Sequence, residues 1–209
     1  MNKKVNVLFE QEPEELLRML NGTVEALSSL CQKVDPFTAS HQRRVARLAC
    51  DIAKKMGLSD EQVYGLRVMG MVHDIGKMAL PDDILSKEGE LNQEEFEIVK
   101  THPVVAYDIL KNLDFPWPVA QTVLQHHERI DGSGYPHRLA GNDIILEARI
   151  LCVADVVESM ITRRPYRTAP GLEKALEEIG LNSGVLYDPA VTQACFKLTS
   201  NGGIKFDWE

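Results

Sequence analysis

The sequence predicts an all-α domain. Apolar residues recur at intervals of three and four along most of the chain, and no segment shows convincing apolar–polar alternation. The breaks between these periodic segments fall at proline and glycine, which end helices. With 209 residues, of which 44% are hydrophobic, the chain can bury one full-sized core.

The first predicted helix carries one regular apolar seam. Its members are spaced three and four residues apart in alternation: Leu17, Leu20, Val24, Leu27, Cys31 and Val34. This is a heptad pattern, but two heptads are too few to establish a coiled coil. Either the seam joins two copies of the chain or relays a signal from an upstream domain, or the helix packs on its own body. We assign residues 1–34 to this linker helix, 35–199 to the main domain and 200–209 to a tail.

The later helices have recognisable start and stop residues. The second runs from about Thr38 to Met56 and stops at Gly57. The third begins at Ser59, where Gln62 three residues later completes a capping box, and it ends near Gly76. Further helices are expected over residues 92–113 with a break at 102–103, 116–127, 143–162, 171–179 and 188–198. Residues 131–136 can only form a turn-rich loop.

Charge and cysteine content exclude several classes of protein. Lys and Arg total 23 and Asp and Glu total 31, a net charge of −8 that argues against a binder of nucleic-acid polymers. There is no apolar stretch of signal-peptide length and none of the roughly 20 residues that a membrane span needs. The cysteines form no CxxC pair and fit buried free thiols: Cys31, Cys50, Cys152 and Cys195. We therefore expect a cytoplasmic protein.

Five of the six histidines are candidate site residues, and all but His41, which sits in the second predicted helix, lie at predicted helix ends: His41, His73, His102, His126 and His127. A single histidine on an apolar face is usually a hydrogen-bonded core residue, but that explanation would have to hold separately for all five. Imidazole and carboxylate ligands suit iron, manganese and zinc. Since no cysteine accompanies them, we expect an open catalytic site rather than a structural zinc site.

Asp155 gives an independent indication. Its predicted helix is apolar on nearly all sides, so the carboxylate should be buried, and a buried carboxylate must be protonated, paired or coordinating. A salt bridge to Arg149 or Arg163 is the alternative to a metal ligand. Together with the histidines, we favour the metal ligand.

These residues resemble the HD-GYP family, a bacterial branch of the HD phosphohydrolase superfamily. The matching segments are, in order, Asp35-Pro36-Phe37-Thr38 leading to His41, His73-Asp74-Ile75-Gly76-Lys77, Thr101-His102-Pro103, His126-His127-Glu128, Asp131-Gly132-Ser133-Gly134-Tyr135-Pro136, Ala154-Asp155-Val156 and Arg164-Pro165-Tyr166-Arg167. A lone His-Asp pair would be weak, whereas this ordered series over about residues 35–199 is highly specific.

The resemblance implies an HD-type helical bundle with a di- or trinuclear metal site. It also implies a phosphodiesterase that converts cyclic di-GMP to linear pGpG, GMP or both through a hydroxide that bridges the metals. One metal would be held by His41, His73, Asp74 and Asp155, and Asp74 would bridge to a second metal held by His102, His126 and His127. Some members bind a third metal through a glutamate at the position of Phe37, which cannot ligate. We expect two divalent ions, iron or manganese, although other divalent metals would fit.

The resemblance also implies substrate contacts. Lys77, Arg164 and Arg167 would contact phosphates, and Gly134 and Tyr135 would shape the pocket; Asp74 and Lys77 are the expected catalytic residues. Without the family match, a solvated helix end would be the favoured interpretation of the two arginines. Two alternative functions stay open: a sensor that binds a cyclic dinucleotide without cleaving it, and an HD phosphohydrolase that acts on another nucleotide.

Overall fold

The computed structural model describes residues 13–34, 36–87, 89–162 and 169–199, with the side chains of residues 13, 32–34 and 36–39 left out. In this part of the chain the elements are helices, and no strand is formed. The α-helices are α1 Pro13–Val34, α2 Pro36–Met56, α3 Asp60–Val72, α4 Asp82–Leu85, α5 Gln93–Val99, α6 His102–Leu110, α7 Val119–Gln125, α8 Leu146–Ile161, α9 Leu172–Leu181 and α10 Pro189–Thr199. Two 3₁₀ turns span Ile75–Ala79 and Gly141–Asp143. The all-α prediction is confirmed.

Helix α2 is the centre of the bundle, in contact with α1, α3, α8 and α10. Its buried residues Leu48 and Ile52 pack into a core shared with Leu66 of α3 and Leu151 of α8. Burying each such side chain stabilises the fold by roughly 1.5–3 kcal/mol. The 3₁₀ turn Ile75–Ala79 and α7 both pack against α6 and bring the ends of α3, α5 and α7 together.

The predicted boundary between α2 and α3 is confirmed. Gly57 has φ +82°, a conformation that glycine adopts without strain and that commonly ends a helix. The Ser59 hydroxyl accepts a hydrogen bond from the Gln62 amide at 3.3 Å, and the Gln62 side chain accepts one from the Ser59 amide at 3.1 Å. The third helix ends earlier than predicted, at Val72, because the chain tightens into the 3₁₀ turn that follows.

Other boundaries differ from the prediction by a few residues. The segment expected as one broken helix over 92–113 is two helices, α5 and α6, and the break lies at Lys100 and Thr101, just before the predicted 102–103. Helix α7 starts at Val119 rather than 116, because Pro118 disfavours the α conformation for Trp117 and is itself non-helical, with ψ 54°. The short helix α4 was not predicted.

Helix α1 has one packed and one exposed face. Val24 and Cys31 of the predicted seam are buried in the core, whereas Leu17 of the same seam is exposed. On the neighbouring face Leu16 and Leu30 are about half exposed, at 53% and 45%. The middle of the seam therefore packs on the chain's own body, which was the alternative to a seam that joins two copies or relays a signal. The side chain of Val34 lies outside the described residues.

The other sequence expectations can be compared directly with the structure. All four cysteines are buried and free, as predicted. None of the described helices has the length and apolar character needed to cross a membrane.

Candidate metal centre

Three histidines of the centre lie just beyond helix ends and are held there in the same way. The Nδ1 atoms of His73, His102 and His126 each donate a hydrogen bond to the backbone carbonyl three residues earlier, at 2.8, 2.7 and 2.5 Å. These carbonyls belong to the last turns of α3, α5 and α7, where no helix amide remains to satisfy them. Each bond fixes the proton on Nδ1 and leaves Nε2 free to act as a ligand.

Asp74 is the residue around which these rings gather. Its side chain is buried, with Oδ2 3.5 Å from Nε2 of His73 and 3.8 Å from Nε2 of His41, and with Oδ1 3.5 Å from Nε2 of His102. The Lys77 ammonium lies 2.7 Å from Oδ2. A carboxylate has two oxygens and can contribute one to each of two neighbouring groups of ligand atoms, whereas a neutral imidazole has a single lone pair to offer.

On one side of Asp74, helices α2 and α8 bring His41 and Asp155 together. Nε2 of His41 lies 3.0 Å from Oδ1 of Asp155, and Nδ1 of His41 donates to the Glu158 carboxylate. Asp155 is less buried than expected, with 13% of its side chain exposed; Glu158 on the same helix is 1% exposed. Arg149, one alternative partner for Asp155, is paired instead with Asp188 at 2.6 Å, and the other, Arg163, lies outside the described residues.

On the other side of Asp74 lie His102, His126 and His127. Nε2 of His102 and Nε2 of His126 are 3.5 Å apart, and the His126 and His127 ring centroids are 4.0 Å apart. Burial lowers the pKa of His102 to about 4 and that of His126 to about 3, and it holds the pKa of His127 well below its ordinary value. These rings are neutral at pH 7, the form in which imidazole binds a metal.

The carboxylates of the centre are ionised. Burial alone would raise the pKa of Asp74, but the Lys77 ammonium and the nearby imidazoles hold it well below its ordinary value. Burial would likewise raise the pKa of Asp155, and the hydrogen bond from His41 holds it low. Burial lowers the pKa of His41, yet its bonds to Asp155 and Glu158 raise it to about 9.

The donor set fits divalent metal ions. Three groups of residues could each hold an ion, because within each group the ligand atoms lie within 4.8 Å of one another. The groups are His41, His73 and Asp155; His73, Asp74 and His126; and His102, His126 and His127. The second group shares His73 with the first and His126 with the third. Nε2 of His73 is fully buried and has no hydrogen-bond partner among the described residues. Leaving such an atom unpaired costs about 1–3 kcal/mol, and a cation at this point would remove that cost. Imidazole and carboxylate are the ligands that iron, manganese and zinc accept.

The glycine-rich loop after His127 is tied down by Glu128. The buried Glu128 carboxylate accepts hydrogen bonds from the amides of His137 and Leu139, at 2.7 and 3.0 Å. A Cβ on Gly134 would lie 2.4 Å from the Arg129 nitrogen, so only glycine fits. This arrangement stacks the Tyr135 ring on His127, with centroids 4.8 Å apart and planes at 30°.

Most of the predicted site residues are thus brought together, and a few are not described. The seven expected metal ligands, Lys77, Gly134 and Tyr135 surround one region, whereas Arg164 and Arg167 lie outside the described residues, as does the side chain of Phe37. Sequence reasoning assigned no role to Glu158 or to Glu128. A buried position on an apolar helix could have signalled Glu158, because the same argument was applied to Asp155.

Comparison with known proteins agrees with this geometry. The HD domain family profile matches residues 25–191. The chain belongs to the HD domain family. A cyclic di-GMP phosphodiesterase of Thermotoga maritima is 40% identical over 202 residues, covering 94% of this chain and 55% of that protein. A 3'3'-cGAMP-specific phosphodiesterase of Vibrio cholerae is 35% identical over 170 residues, covering 81% of this chain and 37% of that protein.

A solved structure shows the same fold. A HDG"Y"P protein from Bdellovibrio bacteriovorus matches with a TM-score of 0.66 and 18% identity, over 88% of this chain and 64% of that one. The HD-GYP resemblance drawn from the motifs is confirmed. The chain spans only about a third to a half of the length of the two curated relatives above.

Proposed function

We propose that this HD domain is a metal-dependent phosphodiesterase that hydrolyses cyclic di-GMP to linear pGpG, GMP or both. The observation that carries the proposal is the row of overlapping ligand groups joined through Asp74, His73 and His126. Two-metal sites of phosphodiesterases place their ions about 3.5–4 Å apart, and a row of overlapping groups suits such a pair. The 40% identity to a cyclic di-GMP phosphodiesterase supports the choice of substrate.

We assign one ion to His41, His73, Asp74 and Asp155, and a second to Asp74, His102, His126 and His127, with iron or manganese as the metal. When bound, the ions supply a hydroxide nucleophile near neutral pH and neutralise charge on the phosphodiester.

The other site residues would bind and position the substrate. Lys77, with 22% of its side chain exposed, holds an ammonium at the edge of the centre, where it can neutralise a phosphate oxygen. Tyr135 and the backbone at Gly134 border the same region and would position the ligand. Contacts from Arg164 and Arg167 to substrate phosphates stay a prediction from the sequence.

The test is turnover. Protein loaded with manganese or iron should convert cyclic di-GMP to pGpG or GMP, detected by liquid chromatography, and His73→Ala should abolish conversion. Absence of product from the loaded wild-type protein would refute the proposal. Tight binding without product over hours would instead support the sensor function.

A second substrate has an observation in its favour. The 3'3'-cGAMP-specific relative is 35% identical to this chain, not far below the cyclic di-GMP phosphodiesterase. Both substrates are cyclic dinucleotides with the same phosphodiester ring, so the metal centre alone would accept either. Comparing kcat/KM for the two substrates, together with cyclic di-AMP, decides between them.

Assembly and location are further parts of the proposal. The exposed face of α1, with Leu16, Met19 and Leu30, suits contact with a second copy or with a fused sensor domain. Contact with a second copy is tested by light scattering of the full chain and of a chain lacking residues 1–34. Because Val24 and Cys31 are core residues, the shorter chain must first be shown to fold. The boundaries at 34 and 199 and the cytoplasmic location remain predictions.

A further inference from the structure

A cavity of about 730 Å³ lies next to the metal centre and shares His127 with it. Its walls come from the last turn of α5, the first turns of α6 and the loop over residues 129–138. This volume falls within the usual range of about 300–1,000 Å³ for small-molecule sites. The cavity is therefore large enough for part of a dinucleotide whose scissile phosphate is at the centre.

The cavity is positively charged although the whole chain is acidic. Its lining holds the cations Lys100, Arg129 and Arg138 against the single carboxylate of Glu97, whereas the chain carries a net charge of −8. A local excess of positive charge in a concave site attracts anions. This lining therefore suits an anionic ligand.

Lys100 is placed over aromatic rings within the cavity. Its Nζ lies 4.8 Å from the centroid of Phe96 and 5.9 Å from that of Tyr135, and it is paired with Oε1 of Glu97 at 2.6 Å. Phe96 is 43% exposed, so its ring is available to a ligand. Exposed aromatic faces beside cations suit a nucleotide, which combines a stacking base with a phosphate.

Arg138 is held at the cavity in a conformation that rarely suits arginine. Its φ is +56°, in the left-handed region that a non-glycine residue occupies only at a cost. The residues on either side, His137 and Leu139, donate their amides to the Glu128 carboxylate. These two bonds hold the loop on both sides of Arg138 in the conformation that places it at the cavity.

We propose that this cavity binds the half of the cyclic dinucleotide that is not being cleaved, an inference that rests on the proposed function. Lys100 and Arg138 contact its phosphate, and Phe96 and Tyr135 face its base. Phe96, Lys100 and Arg138 are then substrate-specificity residues outside the metal centre.

The first experiment measures binding without turnover. Cyclic di-GMP is titrated calorimetrically into the full chain in the presence of a chelator, where the side-chain cations of the cavity still attract it. Lys100→Ala should weaken binding about tenfold, as expected for loss of a charge-assisted hydrogen bond. Glu97→Gln should strengthen it about two- to fivefold, because the ammonium is released from its exposed partner.

The chain offers a matched control in Lys111. It follows the end of α6 as Lys100 follows the end of α5, pairs with Asp108 at 2.6 Å and lies 5.7 Å from the Tyr107 ring centroid, but it does not line this cavity. Lys111→Ala should bind cyclic di-GMP within twofold of wild type. Equal affinity of the Lys100→Ala and Lys111→Ala proteins, or no binding by wild type, would overturn the subsite.

A second experiment separates the subsite from the proposed function. Bis(p-nitrophenyl) phosphate is a small phosphodiester that needs the metal centre but not the cavity. With manganese, Lys100→Ala should raise the KM for cyclic di-GMP about tenfold and affect hydrolysis of bis(p-nitrophenyl) phosphate much less. An equal loss of activity on both substrates would contradict the subsite. If the wild-type protein hydrolyses neither substrate, the proposed function is contradicted, and the subsite is then tested by the binding experiment alone.

Discussion

The Glu158 carboxylate accepts a hydrogen bond from Nδ1 of His41, although the two residues are 117 positions apart in the chain. Its other oxygen accepts hydrogen bonds from Nε of Arg44 at 2.5 Å and from the Thr162 hydroxyl at 2.7 Å. Glu158 therefore fixes the proton of His41 on Nδ1 and turns Nε2 toward Asp155, 3.0 Å away.

Removing this carboxylate should weaken metal binding. We expect Glu158→Ala to lower manganese affinity about 10- to 100-fold, because His41 loses the partner that orients it. Glu158→Asp should recover part of the affinity, a result that a purely packing role would not produce. The measurement is metal content after dialysis, together with a manganese titration. Glu147→Gln in the first turn of the same helix is the control, and wild-type affinity of Glu158→Ala would contradict the assignment.

A methyl group at Gly76 should destabilise the fold. A Cβ there would lie 2.0 Å from the His102 carbonyl oxygen and 2.7 Å from the Ala106 nitrogen, and both are backbone atoms that cannot rotate away. We expect Gly76→Ala to lower the free energy of unfolding by about 3 kcal/mol in urea denaturation. Gly22→Ala is the control: nothing lies within 4 Å of its Cβ, and alanine favours the helix by up to about 1 kcal/mol. Equal stability of the two variants would refute the close approach.

The metal-free protein should be most stable near pH 6.5. His102 and His126 have folded pKa values of about 4 and 3, below the ordinary 6.5, so their contribution is present above pH 6.5 and is lost as the pH falls toward 4. His41, with a folded pKa of about 9, acts oppositely, and its contribution is lost as the pH rises from 6.5 through 9. Each group changes the free energy of unfolding by on the order of 1 kcal/mol per pH unit in its window.

Urea midpoints of chelated protein at pH 4.5, 6.5 and 9 measure this dependence. His126→Asn should flatten the acid side of the profile. His137→Asn should leave the profile unchanged, because His137 is exposed in the loop. A profile that rises steadily from pH 6.5 to 4.5 would contradict the burial of neutral imidazoles.

Glu128 should control the order of the glycine-rich loop. In Glu128→Gln one carboxylate oxygen becomes an amide nitrogen, so only one of the amides of His137 and Leu139 keeps its acceptor. We expect faster hydrogen exchange over residues 131–140 and a several-fold higher KM for cyclic di-GMP, with the metal content unchanged. Asp131→Asn serves as the control, since an asparagine oxygen can still accept from the Ser133 amide. Wild-type exchange in Glu128→Gln would show that the loop is held by other contacts.

The helices and the candidate ligand residues could be predicted from the sequence because both depend on local signals. The capping box at Ser59 and the stop at Gly57 need only a few neighbouring residues. Most of the histidines were recognisable because they stand near carboxylates or prolines at the ends of apolar segments, where a ring can reach a neighbouring helix.

The supporting contacts could not be predicted because they join distant parts of the chain. The role of Glu158 depends on a histidine in α2, and the cavity depends on how α5 approaches the loop that carries Arg138. The pairing of Arg149 with Asp188 instead of Asp155 is likewise set by the packing of α8 beside α10. Periodicity places a residue on a face of its helix but does not say which residue of another helix meets it.

The bonds from His73, His102 and His126 to the carbonyls of Gly70, Val99 and Val123 tie three proposed metal ligands to helix ends. Unwinding the final turn of any of these helices would withdraw a ligand, and an ion in place would in turn hold that turn closed. With these residues as ligands, metal occupancy and backbone order would be thermodynamically linked, and a perturbation that unwinds one of these helix ends would weaken metal binding.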